Sequence, residues 1–163
     1  MIYKSVVATR RGGPEVLQIV ENDLRPPDAG EARIKILATP VCRDDVAVRR
    51  GTRPFLAKTP FVPGYALIGV VDAAGRHERP PGEGVTGVAV GDRVAALTIF
   101  GGYAEYIYLS QDDLIPVPEA LDPAEAVTLI LNYIVAYQTL HRSAKVEAGD
   151  KVLIIGASGG VGT

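Results

Sequence analysis

The chain has 163 residues, of which 47% are hydrophobic and 22% charged, and a formal net charge of −2. This suits a soluble globular protein with a sizeable core, as one domain or as one domain and part of a second. Lys and Arg are scattered with no basic face, which argues against a nucleic-acid partner, and a single cysteine excludes an internal disulfide.

The opening Met1-Ile2-Tyr3-Lys4-Ser5-Val6-Val7 lacks the apolar core of a signal peptide. The longest apolar stretch, residues 126–137, contains Thr128 and Asn132 and is too short to span a bilayer. A cytoplasmic protein without a membrane segment is expected.

Residues 31–39 alternate small or apolar side chains with charged ones, the period of a strand with one buried face. Similar strands are predicted at 65–73, 93–97 and 103–109. Between them stand Arg25-Pro26-Pro27-Asp28-Ala29-Gly30, the Pro/Gly-rich residues 75–84, and Gly101-Gly102, all turn signals. The class is mainly β with α, and a compact, loop-rich β-barrel fits the first two-thirds best. At Asp122-Pro123-Ala124-Glu125 the pattern changes: Asp caps a helix, Pro suits its first position, and Glu takes the capping-box place. Helix is predicted from there to about residue 144, bent or in two pieces. A domain boundary near Leu121 divides the chain into 1–121 and 122–163.

After the turn at Gly149-Asp150, the apolar strand Val152-Leu153-Ile154-Ile155 runs into Gly156-Ala157-Ser158-Gly159-Gly160-Val161-Gly162. Such a turn begins a dinucleotide-binding βαβ unit: glycines let the backbone approach a pyrophosphate, and a helix N-terminus supplies free N–H groups. Ser158, Gly159, Gly160, Val161 and Gly162 are therefore candidate cofactor contacts. A tight β-turn-α connection without nucleotide would have the same pattern. The unit is expected to be incomplete, and the residue that separates NAD from NADP lies about 20 residues further on. The four apolar residues would each gain about 1.5 to 3 kcal/mol on burial. Without a sheet to join, the strand is expected to dock on another copy, pack back on the helix, or stay disordered; the first would give a homo-oligomer.

A catalytic zinc needs three protein ligands and a structural zinc four. One Cys and two His are present, so a four-cysteine site is impossible. His77, in a Pro/Gly-rich loop, and His141, in a helical stretch, are expected at the surface.

The order of several motifs carries a resemblance: Val41-Cys42-Arg43-Asp44-Asp45-Val46-Ala47-Val48-Arg49-Arg50-Gly51, then Val62-Pro63-Gly64-Tyr65-Ala66-Leu67-Ile68-Gly69, then Val90-Gly91-Asp92-Arg93-Val94, Gly101-Gly102-Tyr103-Ala104-Glu105-Tyr106, and the terminal glycine turn. The chain resembles the medium-chain dehydrogenase/reductases, in their zinc-independent quinone oxidoreductase branch. The resemblance implies a GroES-like barrel domain at 1–121, the opening of a Rossmann domain at 122–163, and NADP or NAD as cofactor. NADP is favoured by the resemblance alone. It further implies that Cys42 stands where the zinc branch places its first ligand, and where zinc-free relatives often carry Asn near the nicotinamide ribose. The second ligand falls on Tyr65 and the following Glu on Ala66, so a zinc site would be broken.

Tyr65 is then a candidate hydrogen-bond donor to a substrate oxygen, or a core tyrosine. Cys42 is a candidate for the catalytic and cofactor sets, or a small buried apolar residue. Asp45 joins the catalytic candidates, with a structural salt bridge to Arg49 as its alternative. Asn132, with Tyr133, is a polar group near the cofactor cleft. The aromatic residue often seen at Ala47 and the Thr often seen at Val135 are missing.

The expected function is a zinc-independent, NAD(P)H-dependent oxidoreductase reducing quinones, enones or related small carbonyl compounds. A catalytically silent GroES-like binding or oligomerisation module, and an alcohol dehydrogenase with a degenerate zinc site, are the alternatives.

Overall fold

The computed structural model describes residues 1–53, 57–77 and 88–163, so most of the expected turn at 75–84 lies outside the described residues. Strand β1 (Ile2–Ala8) turns through a helical segment at Pro14–Val16 into β2 (Leu17–Asp23), an antiparallel hairpin that the sequence pattern does not announce. Strands β3 (Glu31–Ala38), β4 (Ala66–Ala74), β5 (Arg93–Leu97), β6 (Tyr106–Ser110) and β7 (Ile115–Pro116) form an antiparallel sheet in the order β6-β3-β4-β5-β7. Helix α1 (Arg43–Arg50) lies between β3 and β4 in the chain.

Among the described residues the sheet does not close into one continuously hydrogen-bonded barrel. The hairpin joins it through the bridges Ser5↔Ala104 and Ala8↔Phe61 and an edge-on contact of the Tyr3 and Tyr106 rings. The fold remains mainly β with α, and the four strands expected between residues 31 and 109 stand within three residues of their predicted starts.

Strand β4 explains why the sheet has two covered faces. Ala66, Leu67 and Ile68 are all fully buried, so the strand reads as a continuous apolar run and not as a strict alternation. Leu67 and Val71 join Ala32, Ile34, Val94, Ala96 and Leu114 in one core. Ala66 and Ile68 face the other way and pack with Ala95, Ala126, Val127 and Ile130.

The last three of those belong to a helical run from α2 (Pro123–Thr128) through a wide π-type turn (Leu129–Tyr133) and α3 (Ile134–Tyr137) to a second π-type segment (Gln138–Ser143). The start is as the sequence dictates: Asp122 accepts hydrogen bonds from the N–H groups of Ala124 (2.8 Å) and Glu125 (3.1 Å). The expected strand at 152–155 does not form. Its backbone makes no hydrogen bond among the described residues, and Leu153 and Ile155 are 85% and 91% exposed. Parallel strands need neighbours for their N–H and C=O groups, and no described strand lies alongside.

Candidate active site

Helix α1 is built to start at Cys42. That residue has extended backbone and caps the helix, while Asp45, at the third helical position, returns Oδ2 to the Cys42 N–H at 2.8 Å. The helix ends at Gly51, whose φ of 83° is left-handed and suits glycine. Acidic residues in the first turn and Arg49 and Arg50 in the last match the helix dipole.

Asp45 does more than cap. It is 5% exposed, and Oδ1 accepts the Gly64 N–H at 3.0 Å while Oδ2 also accepts the Tyr103 hydroxyl at 3.2 Å. Three donors from three parts of the chain converge on one carboxylate. The expected pairing with Arg49 is absent among the described residues: Arg49 donates to the Gly12 carbonyl at 2.7 Å and ties the helix to the β1–β2 turn instead. Two causes explain this. Asp45 sits on the side of the helix facing the Pro63-Gly64 turn, and its oxygens are already filled by neutral donors. Burial pushes the Asp45 pKa up, and the bonds from Cys42, Gly64 and Tyr103 oppose that rise.

The turn carrying Tyr65 is held by two hydroxyls. Thr98 Oγ1 donates to the Gly64 carbonyl (2.7 Å) and Thr39 Oγ1 to the Ala66 carbonyl (2.9 Å), while the N–H groups of Thr98 and Ile99 both reach the Tyr65 carbonyl. Gly64 has a φ of +115°, and a Cβ there would stand 2.4 Å from the Gly102 Cα. Only glycine lets the two loops approach so closely. The Tyr65 side chain is half-buried, and its hydroxyl has no hydrogen-bond partner among the described residues.

Electrostatics place Tyr65 and Cys42 together. Burial first, then the charge of Asp44, raises the Tyr65 pKa, with Arg53 opposing; Asp45 and Cys42 add to the rise. Asp44 and Arg53 form an ion pair at 2.9 Å. Burial and the charges of Asp45 and Asp44 push the Cys42 thiol up to about 11, which disfavours the thiolate that a nucleophile needs. Tyr103 is raised as well, by burial and then by Asp45. The site therefore offers neutral donors, Tyr65 foremost, beside a carboxylate engaged as an anchor and not as a base.

The glycine-rich turn folds into successive turns. Gly159 N–H donates to the Gly156 carbonyl, and Gly162 and Thr163 N–H to the Gly159 carbonyl, as at the start of a helix. The N–H groups of Ser158, Gly160 and Val161 make no hydrogen bond among the described residues, which leaves donors of the kind a pyrophosphate takes. A Cβ on Gly160 would lie 2.8 Å from Asn132 Nδ2, so Asn132, in the π-type segment, stands directly against this turn. The structure thus brings Asn132 to the glycines, and Cys42, Asp45 and Tyr65 to one another.

Among the described residues no group of three or more His, Cys, Asp or Glu side chains could hold a metal ion. His141 is exposed and packs against Tyr137 with ring centroids 4.6 Å apart. His77, expected at the surface, is partly exposed, and its Nε2 lies 3.3 Å from Asp112 Oδ1.

Residues 28–119 match the family model of the alcohol dehydrogenase GroES-like domain. A quinone oxidoreductase of Sus scrofa is 38% identical over 93% of this chain and 44% of its own length. The chain belongs to the medium-chain dehydrogenase/reductases, in the quinone oxidoreductase-like branch. Among solved members, the human synaptic vesicle membrane protein VAT-1 homolog-like protein superposes with a TM-score of 0.89 at 30% identity, over 99% of this chain and 50% of that one. A mycobacterial protein solved in complex with NADPH superposes with a TM-score of 0.81 at 33% identity, over 98% and 47%. The chain spans about half the length of these medium-chain dehydrogenase/reductase relatives.

Tyr103, within the family stretch Gly101-Gly102-Tyr103, and the turn-holding Thr39 and Thr98 carry no signal of their roles in the sequence. Tyr103 and Asp45 are 58 positions apart, and no local pattern announces a contact of that range.

Proposed function

We propose that this chain is the substrate-side part of a zinc-independent, NAD(P)H-dependent oxidoreductase that reduces quinones, enones or related carbonyl compounds. The observation that carries this reading is the site's set of neutral donors: an unengaged Tyr65 hydroxyl, a protonated Cys42, and Asp45 committed to backbone and Tyr103. A metal ion at the oxygen of an isolated carbonyl stabilises the developing alkoxide by several kcal/mol, a contribution that hydrogen-bond donors match less readily there. A conjugated acceptor spreads the developing charge, and a phenol donor suffices to stabilise it. The NADPH bound by the mycobacterial relative, and the quinone oxidoreductase names of others, support the class of cofactor and substrate.

Residues 1–121 would form the covering domain and 122–163 the opening of the nucleotide-binding domain, a division supported by the family match ending at 119 and by the Asp122 cap. A nicotinamide cofactor would supply the hydride. Ser158, Gly160 and Val161 N–H groups would hold its phosphates, with Gly159 and Gly162 setting the turn and Asn132 bracing it. Cys42 would lie beside the nicotinamide ribose, and Tyr65 would orient the substrate oxygen and donate its proton. A cytoplasmic, homo-oligomeric protein fits this reading; no helix among the described residues is long and apolar enough to cross a membrane.

The unpaired, exposed segment at 152–155 favours a second reading, a GroES-like binding or oligomerisation module without turnover. An alcohol dehydrogenase with a degenerate zinc site is the third. The deciding experiment measures NADPH and NADH binding, bound metal, and quinone and enone turnover by this polypeptide and by any longer product of its reading frame. Turnover in a zinc-free protein supports the first reading. Stoichiometric zinc overturns it, and cofactor binding without turnover of either substrate class supports the module.

A further inference from the structure

We infer that Tyr103 is a positioning residue for the Cys42–Tyr65 site, acting through Asp45. The inference rests on the reading of Cys42 and Tyr65 as the groups facing cofactor and substrate. Four bonds make the case. Tyr103 N–H donates to the Pro63 carbonyl at 2.9 Å, and its hydroxyl donates to Asp45 Oδ2 at 3.2 Å. Asp45 in turn holds the N–H of Gly64, one residue before Tyr65, and the N–H of Cys42 itself. The result is a closed circuit in which a single tyrosine braces the turn with its backbone and the carboxylate with its side chain.

The circuit has no slack. Gly64 and Gly102 approach so closely that each lacks room for a Cβ, which fixes where Tyr103 leaves the turn. Asp45 is buried, so the Tyr103 hydroxyl is its only side-chain donor among the described residues and water is largely excluded. The hydroxyl bond from Tyr103 opposes the rise in the Asp45 pKa that burial causes, so removing it should raise that pKa further. Neither Pro63 nor Gly64 has a polar side chain to take over, and α1 has no other described bond to this turn.

The test is Tyr103→Phe, which keeps the ring and removes only the hydroxyl. Amide hydrogen exchange at Cys42 and Gly64 should speed up roughly tenfold, the order expected for losing one hydrogen bond to a charged group, while β4 and β5 amides keep their rates. The Asp45 carboxyl, followed by NMR, should titrate at higher pH than in the parent chain. Two results overturn the inference: unchanged exchange at Cys42 and Gly64 with an unmoved Asp45 titration, or equal acceleration across β4 and β5, which marks a global loss of stability. Neither readout needs turnover. Local loosening in a protein that proves inactive on quinones and enones would leave the positioning intact and refute the enzyme reading alone.

Discussion

At Asp45 one carboxylate replaces what would otherwise be three separate devices: a helix cap, a loop clamp and a tyrosine anchor. Its raised pKa has a definite consequence for stability. The folded state holds the Asp45 proton more tightly than the unfolded chain, so this group stabilises fully below the unfolded value, and the contribution is lost as pH rises from there through the raised folded value. Urea unfolding just above pH 4 should therefore show the parent losing stability relative to Asp45→Asn as pH rises. A parallel pH dependence for both would contradict the assignment. The same variant removes a negative charge beside the only cysteine, so the pH midpoint for alkylation of Cys42 should fall relative to the parent. At Gly64, Ala would meet backbone at 2.4 Å and adopt a left-handed φ, two penalties that side-chain repacking cannot relieve. Gly64→Ala should destabilise by about 3 kcal/mol or more, measured by chemical denaturation.

Among the elements, the helical run after Asp122 shows best how local chemistry meets tertiary demand. The cap, the proline and the glutamate fix its start, and Asp122→Ala should cost about 1 kcal/mol with a loss of helical circular dichroism. The π-type turn at Leu129–Tyr133 has no such local cause. It falls where Ile130 enters the sheet core and Asn132 meets Gly160, so packing on two sides widens the helix. Strand β4 was legible because an apolar run between Pro63-Gly64 and Gly75 fits nothing else of that length. The β1–β2 hairpin was not, since Ile19 and Val20 stand exposed and blur the alternation that marks a strand.

For the whole molecule, the covered faces and the uncovered one set the expected behaviour. One face of the sheet packs strand on strand with Leu114 and the other packs against α2 and Ile130, whereas Val152, Leu153, Ile154 and Ile155 stay largely in solvent. Exposed apolar residues in an unpaired extended segment invite association. Sedimentation of this polypeptide should show a mass that rises with concentration, and Leu153→Lys with Ile155→Lys should lower it; a dilute and a concentrated sample of equal mass would refute the idea.

The sequence by itself determined the family, the mainly β class, the helix starting at Asp122, the glycine turn and the absence of enough ligands for a four-cysteine zinc site. These rest on residue order, local capping and simple counting, which need no three-dimensional knowledge. Only the tertiary structure decided that Asp45 binds Gly64 and Tyr103 and leaves Arg49 to Gly12, that Asn132 abuts Gly160, and that residues 152–155 remain unpaired. Each depends on groups far apart in the chain, brought together or left alone by how the loops and helices pack on the sheets. Hydrogen-bond partners are chosen by distance and desolvation in the folded state, and the spacing of residues along the chain encodes neither.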